Sequence, residues 1–123
     1  MQVDNSVPYS ARRVYKAAAH GARATADLAD LYVCGLAALK PATTGLPWVT
    51  AGMAVGHGLF AVSRLFAAGS ENATAYTRQK NLTWAFGEGL QTAGYALLAM
   101  GQGVWALPIV ATGAVISNFA YFQ

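Results

Sequence analysis

From Gly89 to Gln123 the chain runs 35 residues without a charged side chain, and no other feature limits its folding options as strongly. Roughly 20 apolar residues in a helix span the hydrocarbon core of a bilayer, so this run holds two crossings if it breaks near its middle. Gly101-Gln102-Gly103, followed by Pro108, supplies the break, because glycine frees the backbone and proline belongs in the first turn of a new helix. A helical hairpin turning near residue 103 is expected. A single kinked helix lying partly along the membrane interface is the alternative. A second run, Pro41 to Ser63, has His57 as its only ionisable group.

Composition agrees with a lipid solvent. Charged residues make up 11% of the 123 positions and hydrophobic ones 55%, with a mean hydropathy of +0.35. Soluble domains carry about 25% charge. The lone Cys34 cannot form an intrachain disulfide and reads as a small hydrophobe.

The amino-terminal third is amphipathic. Lys16, His20, Arg23, Asp27 and Asp30 recur every three or four residues and share a helical face, opposite Ala18, Ala22, Ala26, Ala29, Val33 and Leu36. This helix either lies on the membrane surface before entering it or crosses with its charged stripe toward other helices. Lys40-Pro41 ends it. Residues 1–11 form a polar lead, and Ser70-Glu71 reads as a helix start with its acid in the first turn. The Ala, Arg and Ser content of the first 25 residues is similar to that of a transit sequence but reads better as a basic flank fixing orientation.

The expected fold is all-α: one integral membrane bundle of four transmembrane helices over about 12–39, 46–66, 71–102 and 104–122. Three crossings plus an amphipathic amino-terminal helix is the alternative. Basic residues choose between them, since Lys and Arg concentrate on the cytoplasmic or matrix side. Four crossings put Arg12, Arg13, Lys16, Arg23, Arg64, Arg78 and Lys80 on one side and only Lys40 on the other. Both termini then lie on the basic side of a bacterial or mitochondrial inner membrane. The same arrangement puts Trp48 and Trp105 at the far interface and Trp84 at the near one.

Ionisable groups on membrane helices normally face the bundle interior or snorkel to the interface. Thr50, His57 and Arg64 recur every seven residues, with Arg64 placed to snorkel. On the third helix Asn81, Glu88, Gln91, Tyr95 and Gln102 form a matching stripe. His57, Arg64, Glu88 and Gln91 are therefore the expected polar intramembrane cluster. Gly52 and Gly56 make a small-xxx-small motif for helix packing. Arg12, Arg13, Lys16, Arg78 and Lys80 are the expected contacts to anionic lipid headgroups.

Catalytic signatures are absent: the sequence has no HExxH, CxxC, GxSxG or phosphate loop. Neither a metal site nor nucleic-acid binding is expected. No cofactor is expected either, although His57 is the one residue suited to ligate a haem or pigment. The expected role is a non-enzymatic structural subunit of a membrane complex or homo-oligomer, with membrane lipids, other membrane subunits or copies of itself as partners. Two alternatives stand beside it. One is a proton-coupled carrier or conduit lined by Glu88, His57, Arg64 and Gln91; the other is a membrane enzyme or a pigment-binding subunit using His57.

Overall fold

The computed structural model describes residues 8–123, and these form four α-helices without a strand. The helices are α1 (Tyr9–Leu39), α2 (Leu46–Gly69), α3 (Ala75–Ala99) and α4 (Leu107–Phe122), with one turn of 3-10 helix at Gly103–Ala106. Most of the polar lead expected over residues 1–11 lies outside the described residues, and α1 has begun by Tyr9. Backbone contacts divide the chain into two compact units, one ending at Tyr32 and one covering Val33–Gln123.

The amino-terminal unit consists of the charged part of α1. Arg23 Nε lies 3.5 Å from Asp27 Oδ1 one turn on, and the Arg13 guanidinium sits 5.9 Å from the centre of the Tyr9 ring. Arg13 and Lys16 are exposed, and Arg12 is half-buried. The last turns of α1, from Val33, belong to the second unit.

Helix ends in the second unit follow local chemistry. Lys40 donates its N–H to the Leu36 carbonyl, and Pro41 stops α1. Gly45 takes a left-handed φ of 84° and Pro47 occupies the first turn of α2. The start expected at Ser70-Glu71 is displaced. Ser70 is extended and closes α2, donating its N–H to Ala67 O, while the Thr74 hydroxyl accepts from the Thr77 N–H and caps α3. Threonine four residues further on thus outcompetes the serine as the cap. At the other end α3 stops at Ala99, three residues short of expectation, because Gly101 and Gly103 both turn left-handed at φ 78° and 63°. The 3-10 turn follows, and Pro108 lies in the first turn of α4.

Helix α3 is central and runs antiparallel to α2 on one side and α4 on the other. The α3–α4 crossing brings backbone against backbone. A Cβ on Gly87 would lie 2.5 Å from Ser117 N and 2.7 Å from Gly113 O, and one on Gly113 would lie 2.5 Å from Gly87 O. No side chain larger than hydrogen fits there. The apolar core joins the end of α1 (Val33, Ala37) to Leu46 and Ala54 of α2, Tyr95 and Leu98 of α3, and Ala106 and Val110 before and within α4.

One described helix, α2, is long and apolar enough to cross a membrane; α4 is apolar but has only 16 residues. The expectation of four crossings is thus matched in helix number but not in span length and apolarity. Of the 24 residues in α2 only Leu46, Thr50, Ala54 and Ala68 are buried, while Trp48, Val55, Leu59, Phe60 and Phe66 are exposed.

Candidate functional site

Glu88 is the centre of a buried polar cluster. It lies midway along α3 between two glycines and is 1% exposed. Both carboxyl oxygens are engaged. Trp84, one turn earlier on the same helix, donates its indole N–H to Oε1 at 3.0 Å, and His57 of α2 places Nδ1 2.6 Å from Oε2. The antiparallel packing of α2 on α3 supplies this second contact.

The imidazole is fixed on a second side. Its ring stacks on that of Tyr95, with centroids 5.5 Å apart and planes 9° from parallel. Tyr95 is fully buried, and its hydroxyl lies 3.7 Å from Cys34 Sγ near the end of α1. At the other end of the cluster the Arg64 guanidinium stands 3.8 Å from the centre of the Trp84 ring, and Tyr121 of α4 meets that ring edge-on at 5.5 Å. Arg64, Trp84, Glu88, His57, Tyr95 and Cys34 thus make one continuous series of polar and aromatic contacts.

Gln91 lies beside this series. It is fully buried on the α4 side of α3, where its Oε1 accepts from the Ser117 hydroxyl at 3.2 Å. Of the four residues expected to cluster, His57 and Glu88 touch, Arg64 joins through Trp84, and Gln91 faces a different helix. Two residues expected near the membrane interface have partners within the chain. Arg64, expected to snorkel, is half-buried with its guanidinium over the Trp84 indole, an arrangement that the π-face of tryptophan favours for a cation. Trp84, expected at the near interface, is buried, and its indole N–H serves the Glu88 carboxyl.

No protein-family description, curated protein or solved structure matches the chain.

The glycines expected to pack helices do so elsewhere. Among the described residues no atom beyond the local α2 backbone lies within 4 Å of a Cβ built on Gly52 or Gly56. Close approach within the chain belongs instead to Gly87, Gly94 and Gly113. Of the expected headgroup contacts, Arg78 is exposed and Lys80 half-buried near the start of α3, whereas Arg12, Arg13 and Lys16 lie on the amino-terminal part of α1.

Chemically, the cluster is a carboxyl group and an imidazole joined by a short hydrogen bond in a dry interior. Removing either partner strands a buried polar group at about 1–3 kcal/mol. The pair can also pass a proton along its 2.6 Å contact. Among the described residues no group of three or more His, Cys, Asp or Glu side chains converges as a metal site would require. The contribution of Trp84 was signalled by its spacing from Glu88, four residues on one helical face. Cys34 and Ser117 had no comparable signal, since each is reached only through tertiary packing.

Proposed function

We propose that this chain is a non-enzymatic integral membrane protein that acts as a structural subunit of a membrane complex or homo-oligomer. The observation that carries this reading is α2: an apolar helix of 24 residues, about 36 Å long, with four residues buried and its glycine pair open. In water such a surface is costly. Against acyl chains and the backbone of a neighbouring helix it is favourable, because small residues let two helices approach closely. The buried cluster supports the same reading as a clasp that holds α2 on α3. Both termini are proposed to lie on the basic side of an inner membrane.

Reconstitution into phosphatidylcholine discs, followed by mass measurement of the assembly, tests the proposal. Two or more copies per disc at low loading, or a stoichiometric complex with a defined membrane partner, is the expected result. A water-soluble monomer of 12.8 kDa that needs neither detergent nor lipid would refute it.

The 2.6 Å contact between His57 and Glu88 favours a second reading, a proton-coupled carrier or conduit using Glu88, His57, Arg64 and Gln91. Proton flux into liposomes separates the two. Flux abolished by Glu88→Gln with assembly intact supports the conduit, because an amide cannot exchange the proton; no flux in the unmodified protein removes it.

A further inference from the structure

We propose that an anionic phospholipid binds in the groove between the end of α2 and the start of α3, with its phosphate on Arg78 and an acyl chain along Leu65 and Leu82. The proposal rests on the membrane reading above and gives it a specific site. Two surface cavities, of about 330 and 360 Å³, share Leu65 and Gly69 as lining residues. Both are shallow and open to the surroundings, as a surface along which an acyl chain lies would be. Their walls are apolar apart from one cation, Arg78, at the end where Ala68 and Gly69 leave α2 without bulky side chains.

Charge and depth both fit a phospholipid. Arg78 is exposed, and among the described residues it makes no ion pair. It lies just past the first turn of α3, where the positive end of the helix dipole favours an anion. Its planar guanidinium suits the phosphate diester of a lipid without a headgroup cation better than that of a zwitterionic lipid, whose own ammonium offsets the phosphate charge. Leu82 follows one turn deeper on the same face of α3, and Leu65 flanks it from α2. A ligand that fills this groove is therefore anionic at the helix end and hydrocarbon below it. Free phosphate would leave the apolar floor empty.

Native mass spectrometry of the protein released from vesicles of equal phosphatidylglycerol and phosphatidylcholine tests the site. The unmodified chain should retain phosphatidylglycerol about fivefold over phosphatidylcholine, the effect of one cation at an anionic surface. Arg78→Gln should abolish that preference while Lys80→Gln keeps it. Leu65→Trp, on an exposed face of α2, should fill the groove and lower retention of both lipids with helical circular dichroism unchanged. Equal losses from Arg78→Gln and Lys80→Gln, no preference in the unmodified chain, or displacement of the lipid by millimolar inorganic phosphate would each overturn the site. The membrane reading fails separately: a chain washed from pure phosphatidylcholine vesicles by alkaline carbonate is not integral, whereas firm insertion without lipid preference removes the groove alone.

Discussion

Glu88 is almost fully buried and is hydrogen-bonded to both Trp84 and His57. Replacing it with glutamine keeps a polar head that can hydrogen-bond Trp84 or His57, whereas leucine removes the hydrogen bond from both. Glu88→Leu should therefore cost about 2–4 kcal/mol of unfolding free energy and Glu88→Gln distinctly less, read from denaturant unfolding in detergent. Equal costs for the two would mean that the hydrogen bonds at 2.6 and 3.0 Å contribute little beyond shape. Tyr95→Phe is a milder change. It retains the ring stacked on His57 and removes the hydroxyl that lies beside Cys34 Sγ, so a loss of about 1 kcal/mol is expected. The importance of Glu88 was legible in the sequence, because a carboxyl in the middle of an apolar helix needs a partner. The orientation of Arg64 was not, since snorkelling and stacking on an indole use the same flexible stem.

At the scale of helices, the glycines fall into two sets: Gly87, Gly94 and Gly113 meet a neighbouring helix, and Gly52 and Gly56 meet none. Gly113→Ala should destabilise the folded chain by roughly 1–3 kcal/mol, because its new Cβ would meet the Gly87 carbonyl at 2.5 Å and neither backbone can yield cheaply. Gly52→Ala should leave unfolding nearly unchanged. Gly56→Leu should instead reduce the mass of the assembly, and more than Leu59→Ala does; equal masses for these two variants would mean that this face of α2 meets lipid alone. The break between α3 and α4 could be read from Gly101, Gly103 and Pro108 because backbone preference decides it locally. Which glycines meet could not, because Gly87 with Gly94 and Gly52 with Gly56 are both regular stripes. Only the order of packing, with α3 between α2 and α4, selects between them.

For the whole molecule, the seven-to-one division of basic residues predicts that residues 74 and 123 lie on one side of the membrane. The Tyr76 hydroxyl, donating to the backbone oxygen of Gln123 at 2.5 Å, keeps those two ends together. Single cysteines at Thr74 and Gln123, in a Cys34→Ser background, should react with an impermeant thiol reagent from the same side. Labelling from opposite sides would rule out the four-crossing arrangement. The all-helical class was legible from the uncharged runs and their breaks. The division of the chain at Tyr32 follows the last charge of the helix, Asp30, but no helix break marks it, because α1 continues through that point.

Trp84 gives the cluster an optical reporter. Trp48 and Trp105 are each more than four-fifths exposed, while Trp84 is 9% exposed and touches both a guanidinium and a carboxyl. With the two outer indoles replaced by phenylalanine, the fluorescence of the remaining one would report on the charges around it. A change in His57 or Glu88 would then be visible as a shift in emission colour or lifetime, in lipid and without any added dye.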